Sequence, residues 1–328
     1  MKPYYEPKPA LFERMKLLLK DEEDVKRFFE VAKTQGKKSI RVNTLKISTD
    51  ELIKRLKLKN WDISQPFKDY PEIIQIISEL EPGELGKTEE HLLGYYYVQE
   101  ITSMMPILAL NPKPDEILLD LCAAPGSKTT QAAAKMQNKG TIIANDLNIG
   151  RISILSANLE RIGITNAIIT RHDGLELCAK LKKSKTRIKF DKILVDAPCS
   201  GEGNIRASPR TYLEWSESML KRFGAKNKKL ASAALELLKV EGVMIYSTCT
   251  HSPEENEEVI QHLLDNFNIK IEEIKLPLKT RPGIQKWKDK TFSSEIKKAV
   301  RIYHHDNDME GFFLCKIRKL SDKKFPSD

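Results

Sequence analysis

The sequence predicts an α/β protein with a doubly wound, mostly parallel sheet, preceded by a small N-terminal α+β domain. Two observations carry this expectation. From Glu116 onward, short apolar runs alternate with stretches of helical periodicity, the pattern of strands joined by crossover helices. The first ninety residues break that pattern, being rich in charged helix formers with only short strand candidates such as SIRVNTL, Ser39 to Leu45. The expected division is residues 1–90, residues 91–320 and a tail over 321–328.

The apolar segment 91–110, HLLGYYYVQEITSMMPILAL, reads as a long helical stretch leading into the first strand of the large sheet. Strands are expected at EILLDLC, TIIAND, AIITRHD, KILVDAP, GVMIYSTC and GFFLCKI. Helices are expected over Thr130 to Met136, Ile149 to Ile162, Leu213 to Lys239 and Pro253 to Leu264. The last of these carries a start signal in which Ser252 caps, Pro253 takes the first helical position and Glu255 completes a capping box. The sequence has no internal repeat and no low-complexity tract.

Of 328 residues, 40% are apolar, enough for a proper core, and 55 Lys and Arg against 46 Asp and Glu leave a formal charge of +9, which favours a polyanionic partner. Five irregularly spaced cysteines, no secretory segment and no long apolar run point to a reduced, cytoplasmic setting with neither disulfide framework nor membrane span. No metal-ligand spacing is present, and no metal is expected. Cys178 and Cys315 lie in apolar contexts and read as inert core residues.

The segment DLCAAPGSKT, Asp120 to Thr129, follows a strand and opens a helix, where a Gly-rich turn exposes backbone amides to a ligand. It fits neither a phosphate-binding P-loop nor a three-glycine dinucleotide fingerprint, so a ligand without a pyrophosphate is expected. Asp146 closes the second strand of the large sheet about twenty residues after Gly126, the position from which a carboxylate takes a ribose diol, and Asp173 closes the third in the same way. Both could simply begin turns. In register with the Gly-rich turn, they suit a nucleoside such as the adenosine of S-adenosylmethionine, with Arg151 at the ribose side.

Two cysteines sit just past strand-like runs, Cys199 in DAPCSGEG and Cys249 in STCT. Residues beyond the carboxyl ends of such strands line the active crevice, so both thiols are expected in one pocket. A thiolate adding to carbon 6 of cytosine would make carbon 5 nucleophilic enough to accept a methyl group. Asp196 could protonate ring nitrogen 3 if burial raises its pKa. Cys249, placed before a helix start and near His251, reads as the better attacking thiol, and Lys128 could reach the site.

With these residues in view, the chain resembles the Sun family of RNA cytosine carbon-5 methyltransferases. The shared segments are RVNTLK, YVQEITSM, DLCAAPGSKT, NDLNIGR, HDG at His172 to Gly174, DAPCSGEG and STCT, in order over most of the chain. The resemblance implies a class I methyltransferase-like Rossmann fold with an N-terminal RNA-binding domain, and S-adenosylmethionine as cofactor. It implies Cys249 as nucleophile, Cys199 as the group that assists release, and Asp196 and Lys128 beside them. It further implies cofactor contacts from Cys122, Ala123, Ala124, Pro125, Gly126, Ser127, Lys128, Asp146, Arg151, Asp173 and Asp196. The expected partner is RNA, foremost transfer RNA, with ribosomal RNA as the alternative. A non-catalytic RNA-binding factor and a DNA cytosine methyltransferase with its nucleophile in the Pro198–Cys199 pair are the competing readings. Basic residues between Lys33 and Lys59, and clusters at Lys180 to Lys192 and Lys221 to Lys229, are candidates for phosphate contact. The target base must be unpaired or flipped out.

Overall fold

The computed structural model describes residues 5–325. It begins with helices α1 (Pro9–Leu19) and α2 (Glu22–Ala32), the latter started by Asp21, whose carboxylate accepts from the Asp24 amide. A small antiparallel sheet follows, built from β1 (Lys38–Val42), β2 (Ile63–Ser64), β3 (Ile73–Ile76) and β4 (Tyr96–Val98) in the order β2-β3-β1-β4. Helix α3 (Thr49–Leu58), capped by Ser48, lays Leu52 and Leu56 on Ile40, Ile74, Trp61 and Tyr96 to form this sheet's own core. The short helix α4 (Glu89–Leu92) leads into β4.

Two features of the first 110 residues differ from the sequence expectation. Residues 91–110 are not one helical stretch: Gly94, at φ +71°, turns the chain into β4, and a Cβ there would lie 1.9 Å from the Arg161 carbonyl oxygen. Glu100 then starts α5 (Ile101–Leu110) by accepting from the amides of Thr102 and Ser103 at 2.6 and 3.2 Å. Helices α1 and α2 also do not join the small sheet's core. Their apolar stripe, Leu11, Met15, Phe28 and Phe29, packs into the main core with Tyr212, Trp215 and Leu220.

The large sheet holds β5 (Ile117–Asp120), β6 (Thr141–Asp146), β7 (Ala167–Arg171), β8 (Phe190–Asp196), β9 (Leu238–Thr248) and β15 (Phe312–Lys324), in the order β7-β6-β5-β8-β9-β15. Pairing is parallel from β7 to β9, and β15 runs antiparallel to β9. The far edge of β15 takes β14 (Val300–Ile302), backed by β11 (Arg281–Pro282), near its start and β10 (Phe267–Glu272) farther along. Strand β15 continues to Lys324, through the position at which a tail was expected to begin. A hairpin of β12 (Lys286–Trp287) and β13 (Lys290–Thr291) stands apart.

Crossovers are made by α6 (Ser127–Lys135), α7 (Ile149–Ile162), α8 (Gly174–Lys183), and α9 (Thr211–Glu214) with the long α10 (Glu217–Leu237). Helices α11 (Glu257–Asn266) and α12 (His304–Asn307) follow. Alternation along the strands sends Leu119, Ile193 and Tyr246 into one apolar layer and Leu118, Leu194 and Ile245 into the other. Such two-sided burial explains why the strands read as continuous apolar runs. The order of strands reverses between β5 and β8, which opens a crevice at their carboxyl ends.

The capping box expected at Ser252 does not form. Residues 253–256 make turns and α11 starts only at Glu257, because the Glu255 carboxylate is engaged elsewhere, accepting from the amide and hydroxyl of Ser200.

Candidate active site

At the β5/β8 crevice lies a cavity of about 390 Å³ whose walls include Cys122, Ala124, Asp146, Arg151, Asp173, Asp196 and Cys199. The Gly-rich turn shapes its floor. Gly126 caps α6 at φ +103°, and a Cβ there would meet Leu155 Cδ1 at 2.9 Å, so this position requires glycine. Asp146 is fixed from three sides, by the amides of Ala124 (3.3 Å) and Asn148 (3.1 Å) and by the Arg151 guanidinium (3.4 Å). Arg151 also donates to the Ala124 carbonyl, tying α7 to the turn. Asp173 caps α8, accepting from the Leu175 amide at 2.9 Å, so its turn-starting role and its place on the cavity wall coexist.

The donor set fits S-adenosylmethionine. Three carboxylates, Asp146, Asp173 and Asp196, face one cavity of ligand size, suiting a diol, an amine and a sulfonium charge, while Leu147, Pro198 and Leu230 supply apolar wall for a base. Of the residues expected to contact the cofactor, Ala123 and Gly126 shape the turn without lining this cavity, and Pro125, Ser127 and Lys128 line a different one. Asn145, Asn148, His172 and Lys226 complete the wall and were not singled out individually from the sequence.

That different cavity is a cleft of about 710 Å³ between the small sheet and the catalytic strands, lined by Lys37, Tyr97, Ser103, Lys128, Arg206 and Phe312 among others. Among the described residues, the two cavities share only Asp196 and Cys249. Cys199 and Cys249, on turns after β8 and β9, bring their sulfurs to 3.2 Å, and both thiols are free. Lys128 Nζ lies 2.7 Å from Asp196 Oδ2 and donates to Ser103 Oγ at 2.8 Å, while the Ser247 hydroxyl donates to Asp196 Oδ1 at 2.7 Å. The four residues expected from the sequence to react therefore meet in one place, and Ser103 and Ser247, from the shared segments YVQEITSM and STCT, orient Lys128 and Asp196.

The electrostatics revise part of the sequence reading. The helix after Cys249 begins only at Glu257, and its N-cap Asn256 is hydrogen-bonded to Thr248 and Thr250, on either side of Cys249. His251 lends no charge: it is buried and stacked on Tyr303, and burial beside two further histidines and Arg301 holds it well below the usual histidine range. The Cys199 thiol is pushed well up, by its hydrogen bond with the Cys249 sulfur and by burial, which keeps the proton on Cys199. The Asp196 side chain is 26% exposed, and Lys128 and the Ser247 hydroxyl both face its carboxylate. Asp120, beneath the turn, is lifted to about 7 by burial although Thr129 donates to it at 2.6 Å.

Among the basic clusters, Lys180, Lys182 and Lys192 pair with Glu176, Glu236 and Glu116, and Lys228 pairs with Glu258, so these side chains have partners within the fold. Among the described residues, one group, Asp24, His305 and Asp306, clusters like metal ligands, but the Arg281 guanidinium bridges its two carboxylates. No described helix is long and apolar enough to cross a membrane.

Comparison with known proteins agrees with this geometry. Residues 107–318 match the family 16S rRNA methyltransferase RsmB/F, and residues 8–101 match the N-terminal domain of 16S rRNA methyltransferase RsmF. The chain is 42% identical over 281 residues to the tRNA (cytosine(49)-C(5))-methyltransferase of Pyrococcus abyssi, covering 86% of this chain and 88% of the relative. It is 36% identical over 324 residues to ribosomal RNA small subunit methyltransferase F of Vibrio campbellii, covering 97% of this chain but 64% of that longer relative. Among solved structures, a methyltransferase homologue from Pyrococcus horikoshii superposes with a TM-score of 0.77 at 34% identity, over 95% of this chain and all of that one. NSun6 from the same organism, solved with SFG, gives 0.83 at 25% identity, over 96% and 98% of the two chains. The strand-end pocket, the paired thiols and these matches together place the chain in the RsmB/F, or Sun, family of S-adenosylmethionine-dependent RNA cytosine-5 methyltransferases.

Proposed function

We propose that this chain methylates carbon 5 of a cytosine in transfer RNA, in the cytoplasm, through a transient bond between the Cys249 sulfur and ring carbon 6. The observation that carries this reading is the meeting of the two cavities at Asp196 and Cys249, with the Cys199 sulfur 3.2 Å from the second thiol. When bound, S-adenosylmethionine supplies an electrophilic methyl group on a sulfonium. Asp146 and Arg151 hold its ribose side, and Asp173 the base edge.

In the cleft, addition of the Cys249 thiolate forms a carbon–sulfur bond at carbon 6 and moves an electron pair toward carbon 5, the atom that must take the methyl group. Lys128 opposes the negative charge this places on the ring, and Asp196 accepts from the exocyclic amine. The carbon 5 proton then passes to a solvent water acting as base, the C–H electron pair re-forms the ring double bond, and the Cys249 sulfur departs as a thiolate. Cys199, which keeps its proton 3.2 Å from that sulfur, can donate a hydrogen bond to the departing thiolate and so assist release. Reaching carbon 6 requires an unpaired or flipped base, consistent with a cleft walled by Lys37, Arg206 and the aromatic ring of Tyr97.

The closeness of the Pyrococcus relative supports the transfer RNA assignment. A second reading, ribosomal RNA, is supported by the names of both matched families. Transfer of labelled methyl from S-adenosylmethionine to transfer RNA, 16S rRNA fragments and DNA decides among substrates. Cys249→Ala should abolish incorporation, by roughly 10³-fold or more, and Cys199→Ala should leave a protein–RNA adduct visible on a denaturing gel. The reverse pattern would exchange the two roles.

A further inference from the structure

Beneath the two thiols runs a buried chain of oxygens that the reaction above does not use. Ser200, next to Cys199, donates its backbone amide to Glu255 Oε2 at 2.9 Å, and its hydroxyl lies 2.6 Å from Glu255 Oε1. The same hydroxyl lies 2.7 Å from Thr250 Oγ1, and Thr250 stands next to Cys249. Thr250 Oγ1 in turn lies 3.1 Å from Glu202 Oε2, and the other Glu202 oxygen accepts from the Trp215 indole at 2.7 Å. Glu202, Thr250 and Glu255 have no exposed surface, and Ser200 is 8% exposed.

Proton counting sets the state of this chain. Three oxygen–oxygen contacts in series each require one hydrogen between the two atoms. Ser200 and Thr250 bring one hydroxyl hydrogen apiece, so two ionised carboxylates would leave one contact, between oxygens about 3 Å apart or less, with nothing between them. Among the described residues, the other donors at these groups stand outside the series: the Ser200 amide and the Trp215 indole reach the far carboxylate oxygens, and the Ser252 amide reaches Thr250 Oγ1 at 3.3 Å. The third hydrogen must therefore sit on a carboxyl group. Burial acts in the same direction, lifting Glu255 to about 8 and Glu202 above its ordinary range. The charged and titratable groups facing the chain are Cys199, Cys249 and Tyr246 at the Glu255 end, and Arg14 and Glu254 at the Glu202 end.

We propose that Glu255 and Glu202 share one proton through Ser200 and Thr250, and that this buried acid is a positioning group that clasps the Cys199 turn to the Cys249 turn and so sets the spacing of the two sulfurs. The link to the thiols' chemistry rests on the function proposed above; the shared proton does not. Loss of the proton at alkaline pH breaks one of the three contacts and loosens the clasp. Glu255→Gln is the decisive variant, because its carbonyl can accept from the Ser200 amide while its NH2 donates permanently to the Ser200 hydroxyl, copying the protonated acid.

The experiment compares wild type and Glu255→Gln from pH 6 to 9. A carboxyl whose folded pKa lies above its unfolded value binds the extra proton only when folded. Its stabilising effect is therefore complete at low pH and declines as pH rises toward the folded pKa. The wild-type Tm should fall relative to that of Glu255→Gln, by roughly 2–4 °C across this range, and the groups common to both proteins cancel in the difference. Single-turnover adduct formation on RNA should show an alkaline decline in wild type that Glu255→Gln lacks, and Ser200→Ala should lower the rate at every pH. Tm curves that stay parallel overturn the shared proton. A displaced Tm curve with superimposable pH–rate profiles overturns the positioning role. A wild type inactive on RNA would sink the proposed function and leave the thermal comparison to decide the proton.

Discussion

The strand-end cavity proposed for the cofactor and the cleft proposed for RNA are neighbours built in opposite ways. The first takes its walls from consecutive strand ends, each carried by a turn whose residues lie within two positions of one another, such as Asp146 with Asn148 and Asp173 with Gly174. The second gathers residues 35–39, 97–103, 125–128, 204–207 and 310–312 from three separate regions of the fold. A site made of local turns depends on the sheet alone, whereas a site made across regions depends on whatever holds those regions together.

Arg41 is the chief holder. From the small sheet its guanidinium reaches the Ser127 carbonyl and the Thr130 hydroxyl on α6, both at 2.8 Å, and the Gln99 side chain. It is fully buried, and desolvation lowers it to about 9. Arg41→Ala should give the largest effect on stability, a loss of about 3 kcal/mol in urea unfolding, with RNA binding damaged more than cofactor binding. Equal damage to both ligands would remove the distinction between the two sites. Asp146→Asn should act the other way, weakening S-adenosylmethionine by about 10–100-fold, the value of a charge-assisted hydrogen bond, with RNA affinity unchanged; calorimetric titration of each ligand checks it. Lys37→Ala should give the smallest change. Its ion pair with Asp308 spans 3.4 Å between half-exposed side chains, so stability should move by less than about 0.5 kcal/mol. The slope of log affinity against log salt for RNA should fall by about one.

The same contrast governs what could be read from the residues. Every strand expected after Glu116 is present; the central strands, buried on both faces, appear as apolar runs, and the edge strand β7 carries its own β-branched run, Ile168 to Thr170. The meeting of Cys199, Cys249, Asp196 and Lys128 was legible for that reason. Signals that depend on a third partner were misread. Glu255 has the spacing of a capping residue but is recruited by Ser200, fifty-five positions away. His251 sits two residues from the thiol yet stacks on Tyr303 inside the core. The packing of α1 and α2 on the catalytic core was hidden as well, since an amphipathic stripe shows that a helix has a partner without showing which.

Because the two cavities, among the described residues, have only Asp196 and Cys249 in common, neither proposed visitor has to pass through the other's seat. Arrival should then be free in sequence: initial velocities plotted in double-reciprocal form should intersect, and each spent product should inhibit competitively against its own precursor. An enzyme arranged this way can wait fully charged for a scarce polynucleotide, or wait on the polynucleotide for its fuel, and lose no time in either case.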